Sequence, residues 1–149
     1  MDIRILKQLQ RDASMTVAEI AEAVDMSATP CWRRIKRMRD SGIIKSTIAI
    51  LDPALLDLDF TAYAVVKLAV PSNENMQKFE NLLMRWPEVT ACHRVTGAVD
   101  YIIKVVTKDM HAYDEFLRMR ILESVLVSDV QSRIVLSTLK DSPVLPLVE

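Results

Sequence analysis

His93 and His111 are the only histidines, and no Ser-His-Asp set, glycine-rich phosphate loop or paired metal ligands at helical spacing accompanies them. No catalytic residue, metal site or cofactor is therefore expected, and the two histidines are assigned structural or surface roles. Cys31 and Cys92 lack CxxC spacing and a nearby histidine pair, which sets aside both a disulfide framework and a zinc site. Both are expected as reduced, packed thiols. The chemistry on offer is ionic. Between Ser27 and Lys45 the cations Arg33, Arg34, Lys36, Arg37, Arg39 and Lys45 face one acidic residue, Asp40, whereas the chain after Leu51 is acidic overall. A formal net charge of -1 conceals this block, which is of the kind that docks a polyanion.

A second cluster is polar rather than basic. In Thr96-Gly97-Ala98-Val99-Asp100 a glycine turn sets bare backbone N–H groups beside a carboxylate. Such a loop could hold both ends of an amino acid, Asp100 taking the ammonium and the loop amides the carboxylate. The same pattern also serves as a plain hairpin turn.

The elements that must carry these residues follow from capping and periodicity. Asp2 is expected to cap a short helix with Ile5, Leu6 and Leu9 on one face. Thr16-Val17-Ala18-Glu19 is a capping box, and Val17, Ile20, Ala21 and Val24 follow at helical spacing. After the turn Asp25-Met26, Ser27 caps a third helix, Pro30 falls in its tolerant first turn, and Cys31, Ile35 and Met38 form its inward stripe. Gly42 ends it. Three short helices, the last two joined tightly, match the helix-turn-helix plan, in which the final helix enters the major groove of DNA N-terminus first. On that helix Arg33, Lys36 and Arg37 face outward with Arg34 beside them, and are assigned to phosphates. Ser27, Ala28 and Thr29 form an exposed start whose small groups admit a close backbone approach. Base reading is assigned to Ala28, Thr29, Arg33 and Trp32. Alanine at Arg33 or Arg37 is expected to weaken binding.

Beyond Gly42 the period changes. Ile43, Ile44, Ile48 and Ile50 read as a strand, and Asp52-Pro53 with the leucines after it as a linker. The expected domains are 1–45 for DNA binding, 46–58 as hinge strand and linker, and 59–149 beyond. In that last part strands over 61–70, 89–95, 101–107 and 127–139 alternate with helices over 72–86 and 109–122. The class is thus α+β: a three-helix (winged) helix-turn-helix domain followed by a ferredoxin-like βαββαβ domain, both of whose helices lie on one sheet face. Tyr63, Val65, Ile103 and Val105 place apolar residues on both faces of that sheet, so a second protomer is expected to cover the open one. The apolar runs are too short to cross a bilayer and Met1-Asp2 is no basic signal start, so the expected location is cytoplasmic, with the nucleoid.

Taken together, these residues resemble the Lrp/AsnC (feast/famine) transcriptional regulators along essentially the whole chain. Asp2, Ile5, Leu6 and Leu9 resemble the family's opening helix, and Ser27-Ala28-Thr29-Pro30-Cys31-Trp32-Arg33-Arg34-Ile35 its recognition helix. Gly42-Ile43-Ile44 is similar to its exit, Thr96-Gly97 with Asp100-Tyr101 to its effector loop, and Lys140 with Leu145-Pro146-Leu147 to its ending. The resemblance implies a homodimer that assembles further into an octameric ring, binds double-stranded DNA, and takes an amino acid between protomers. The implied effector residues are Thr96, Gly97, Ala98, Val99 and Asp100, with Ser132 contributed by the second protomer. Val99 stands where an aromatic residue is frequent in the family, and Val130 where a hydroxyl is common. A chromatin-organising protein that binds duplexes broadly would share the basic helix; its affinity for random and selected duplexes at fixed salt would be alike.

Overall fold

The computed structural model describes residues 1–148. They divide into two units: Met1–Ile50 joined by the tail from Lys140 onward, and Leu51–Leu139. The tail, expected in the second domain, groups with the first because Gln10 on the opening helix pairs with it. The Leu145 N–H donates to Gln10 Oε1 at 2.7 Å, and Gln10 Nε2 donates back to the Leu145 carbonyl at 3.2 Å.

The first unit holds α1 (Asp2–Arg11), α2 (Val17–Ala23) and α3 (Ala28–Asp40). Met1, not Asp2, occupies the N-cap of α1, and the Asp2 side chain is used elsewhere. The Thr16 hydroxyl accepts from the Glu19 N–H while the Glu19 carboxylate accepts from the Thr16 N–H at 2.7 Å, completing the capping box of α2. Thr16→Ala should lower the unfolding free energy of this unit by about 1 kcal/mol, readable as a lower Tm by circular dichroism. Asp25, in the turn between α2 and α3, takes φ 57°, a left-handed conformation that short polar side chains tolerate. Gly42 (φ 76°) ends α3, its N–H donating to the Arg39 carbonyl. Ile5, Ile20, Ala21, Val24, Cys31, Ile35 and Met38 form the core, confirming Cys31 as inward.

The second unit contains β1 (Phe60–Leu68), α4 (Asn73–Leu83), β2 (Val89–Arg94), β3 (Tyr101–Thr107), α5 (Met110–Phe116) and β4 (Val127–Ile134). The strands form one antiparallel sheet in the order β2-β3-β1-β4, the βαββαβ arrangement. Ser72 caps α4 and Asp109 caps α5 through their side chains. The helices cover the face carrying Ala62, Ala64, Val66, Leu68, Tyr101, Ile103 and Val105, with Phe79, Trp86, Tyr113 and Phe116 packed against it. Tyr63, Val65, Ile102 and Val106 alternate onto the opposite face, where none is fully buried.

Two expectations are corrected. Residues 43–50 form no strand: Ile48 and Ile50 are 78% and 75% exposed, and among the described residues none of them enters a strand ladder. β4 ends at Ile134, opposite Ala62, with one further bond from the Val135 N–H to the Thr61 carbonyl at 3.0 Å; β1 begins at Phe60, so residues beyond 136 have no part of β1 opposite them, and Leu136 and Leu139 are exposed. The helix expected over 109–122 is present, as α5 continued by a π-type turn over Leu117–Leu122. Cys92 also departs from expectation, lying exposed on the sheet-edge strand β2.

Candidate nucleic-acid interface and effector loop

The interface is built on α3. Ser27 sits at its N-cap without bonding a helix amide, which leaves its hydroxyl exposed, and Ala28 and Thr29 follow on the exposed first turn. Trp32 is 51% exposed despite its size and borders a hollow of about 330 Å³ whose wall includes Leu9, Met15, Lys36 and Arg39. Arg33 is exposed and, among the described residues, enters no ion pair. Lys36 meets Asp40 one turn on at 3.0 Å, an exposed pair of the kind worth a few tenths of a kcal/mol, which a phosphate displaces readily.

Two of the assigned cations are placed differently. Arg34 Nη1 lies 2.7 Å from Asp2 Oδ1, and Arg37 Nη2 is paired with Asp2 Oδ2. The first turn of α1 thereby grips α3 through one carboxylate, each oxygen taking one guanidinium. The Arg34 hydrogen bond, and after it the neighbouring charge of Arg37, hold the Asp2 carboxyl below its ordinary range. Sequence reasoning missed Asp2 as a partner because its arginines lie 32 and 35 residues away, and no local spacing announces such a contact. It also omitted Arg39 from the assigned contacts, although its exposure and its place beside Trp32 and Lys36 put it on the same surface.

The effector loop joins β2 to β3. Thr96, Gly97 and Ala98 are exposed, Val99 and Asp100 half-buried. Gly97 has φ 120°, a conformation closed to most side chains, while the space around it is open, so the backbone alone demands glycine. Asp100 is held on all sides by the sheet: its N–H donates to the Val66 carbonyl, its carbonyl accepts from Val95, and Oδ2 accepts from the Leu68 N–H at 2.7 Å. One carboxylate oxygen is thus committed to β1. Ser132 stands opposite Ala64 in the β1–β4 pairing, and its hydroxyl accepts a 2.7 Å hydrogen bond from Tyr113 on the helix-covered side. Within one chain it is not brought to the loop. Beside the loop, the Tyr101 hydroxyl donates to Glu80 at 2.9 Å; burial, reinforced by that carboxylate, pushes its ionisation far upward.

An outward-facing basic helix on one unit and a one-sided βαββαβ sheet with a glycine turn on the other define a two-part DNA-binding regulator. A family model described as "Lrp/AsnC ligand binding domain" matches residues 61–145, and one described as "Winged helix-turn-helix DNA-binding" matches 1–45. The chain is 36% identical over 148 residues to the DNA-binding transcriptional activator DecR of Escherichia coli strain K12, covering 99% of this chain and 97% of that one. It is 38% identical over 145 residues to the HTH-type transcriptional regulator Zrp of Zymomonas mobilis, covering 97% and 94%. Among solved structures, an AsnC family transcriptional regulator from Agrobacterium tumefaciens superposes with TM-score 0.92 at 36% identity, over 97% of this chain and 94% of that one. A Neisseria meningitidis transcriptional regulator in complex with L-Met gives TM-score 0.92 at 34% identity, with the same coverage. The chain belongs to the Lrp/AsnC family; it is a DNA-binding transcriptional regulator and not an enzyme.

Proposed function

We propose that this regulator works as a homodimer, assembling further into an octamer, whose DNA affinity or assembly is set by an amino acid bound at the 96–100 loop between protomers. The observation that carries the reading is the loop itself: exposed amides at Thr96, Gly97 and Ala98 next to a carboxylate anchored by the Leu68 N–H. The related regulator solved with L-Met supports an amino acid as the ligand class. The open sheet face and the exposed apolar linker, from Ile48 through Leu56, support association with a second copy. In the dimer the two α3 helices would occupy successive major grooves, roughly 34 Å apart on a two-fold symmetric site. The contacts assigned to Ser27, Ala28, Thr29, Trp32 and Arg33 belong to this proposal, joined by Lys36 and Arg39. An effector shifts the regulator only as far as it prefers one arrangement of protomers over another.

The test is a thermal-shift screen of the common amino acids, L-methionine included, combined with sedimentation. A ligand at 100 times its Kd stabilises by about 2.7 kcal/mol, so a true effector raises Tm by several degrees. Asp100→Asn is the control, because its amide oxygen still accepts from the Leu68 N–H while the charge is gone. The shift should vanish in that variant while its unliganded Tm holds. A wild type that no amino acid stabilises, or one that sediments as a monomer, would defeat the proposal.

A further inference from the structure

The cations of α3 are unequally available. Arg34 and Arg37 are each bonded to one oxygen of the Asp2 carboxylate, while Arg33 and Arg39 enter no ion pair among the described residues. Arg34 adjoins the inward stripe of Cys31, Ile35 and Met38 and is half-buried, so its guanidinium is turned toward α1. The Asp2 side chain is itself only 33% exposed. A carboxylate so placed competes with any phosphate for two guanidinium groups, and unlike a phosphate it is always at hand. The Lys36–Asp40 pair differs in that both partners share one helix face and are well solvated, whereas Arg37, though 65% exposed, and Arg34 share a carboxylate that is itself half-buried and belongs to another helix.

We infer that Asp2 is a specificity-determining positioning residue: it withholds Arg34 and Arg37 from the DNA backbone, so that docking rests on the cations and small residues that meet bases and phosphates in register. Sequence-independent affinity rises with the number of phosphates neutralised, and log K falls with log salt by about 0.9 for each. Two further arginines with no fixed partner would attach to phosphates of any sequence. Affinity for random DNA would then rise more than affinity for the operator, and the ratio between them would shrink.

The inference rests on the reading of α3 as the DNA-contacting helix, and its test separates the two. Asp2→Asn keeps the shape of the side chain and removes its charge. Binding is measured from low to physiological salt on two duplexes, one random and one selected in vitro with the wild-type protein. Asp2→Asn should steepen the salt slope on random DNA by about 1 to 2 per protomer. It should also raise random-duplex affinity at least threefold and lower the selected-to-random ratio. Adding Arg37→Gln to Asp2→Asn should remove about half of the added slope. A slope that is unchanged or shallower in Asp2→Asn overturns the inference. Should Asp2→Asn unfold the unit, Arg37→Gln and Arg33→Gln in the native background replace it. Arg33→Gln should then reduce the slope by about 0.9 and Arg37→Gln by less than a third of that. Equal reductions overturn the withholding role, and no reduction from Arg33→Gln overturns the reading of α3 along with it.

Discussion

Arg33→Ala is expected to weaken binding to a selected duplex by roughly 5- to 150-fold for each recognition helix engaged, the effect of losing about 1–3 kcal/mol of contact. Arg33, like Arg39, enters no ion pair among the described residues, and of the two it lies nearer the N-terminus of α3, exposed one turn past Thr29. Filter binding or fluorescence anisotropy across a salt series reads the effect and its origin together. A phosphate contact would lower affinity for random and selected duplexes alike and reduce the salt slope by about 0.9. A contact to a base edge would spare random DNA and penalise the selected site. Affinity retained on both duplexes would mean that α3 is not the helix that meets DNA.

The second large effect concerns the other unit. Phe79 on α4 is fully buried, with its ring centroid 5.2 Å from Tyr101 and 6.5 Å from Trp86. Phe79→Ala removes both ring contacts and leaves a cavity, a change that typically costs 3–5 kcal/mol. That is a large part of the roughly 5–15 kcal/mol by which a domain is stable. The loss should be confined to the unit that contains it, because no residue of the Ile5–Ile20–Ile35 core belongs to the other core. One tryptophan per unit makes this measurable: in a Trp32→Phe background, urea unfolding followed through Trp86 should shift to much lower urea. Capping-box variants such as Thr16→Ala should leave that transition where it was. A shift of less than about 1 kcal/mol would show that the aromatic cluster relaxes around the vacancy far better than its packing indicates.

What could be read in advance was local. The Thr16–Glu19 box, the Ser72 and Asp109 caps and the inward stripe of α3 depend on residues three or four apart, and each lies where periodicity placed it. The alternation in Tyr101–Thr107 likewise matched its strand bounds, because every second residue there is buried. Ends that depend on a distant partner were misread. β4 was overextended because its length is set by where β1 starts, and the isoleucines of 43–50 form no strand because, among the described residues, none of them enters a ladder. The candidate interface divides the same way. Outwardness of Arg33, Lys36 and Arg37 followed from helical phase, but the capture of Arg34 and Arg37 by Asp2 is a tertiary contact invisible to spacing. Asp100 was legible as an acceptor, though not its prior engagement with the Leu68 N–H.

The Gln10–Leu145 amide pairing also bears on biosynthesis. Residues that complete the helical unit are separated from it by the whole of Leu51–Leu139, so they are made well after it. A ribosome adding roughly 5–20 residues per second has released α1 to α3 seconds before Leu145 exists. The nascent helical unit therefore waits, with its Gln10 amide lacking that partner, until Leu145 has been made. The helical unit is in this way completed only after the whole four-stranded sheet has been synthesised.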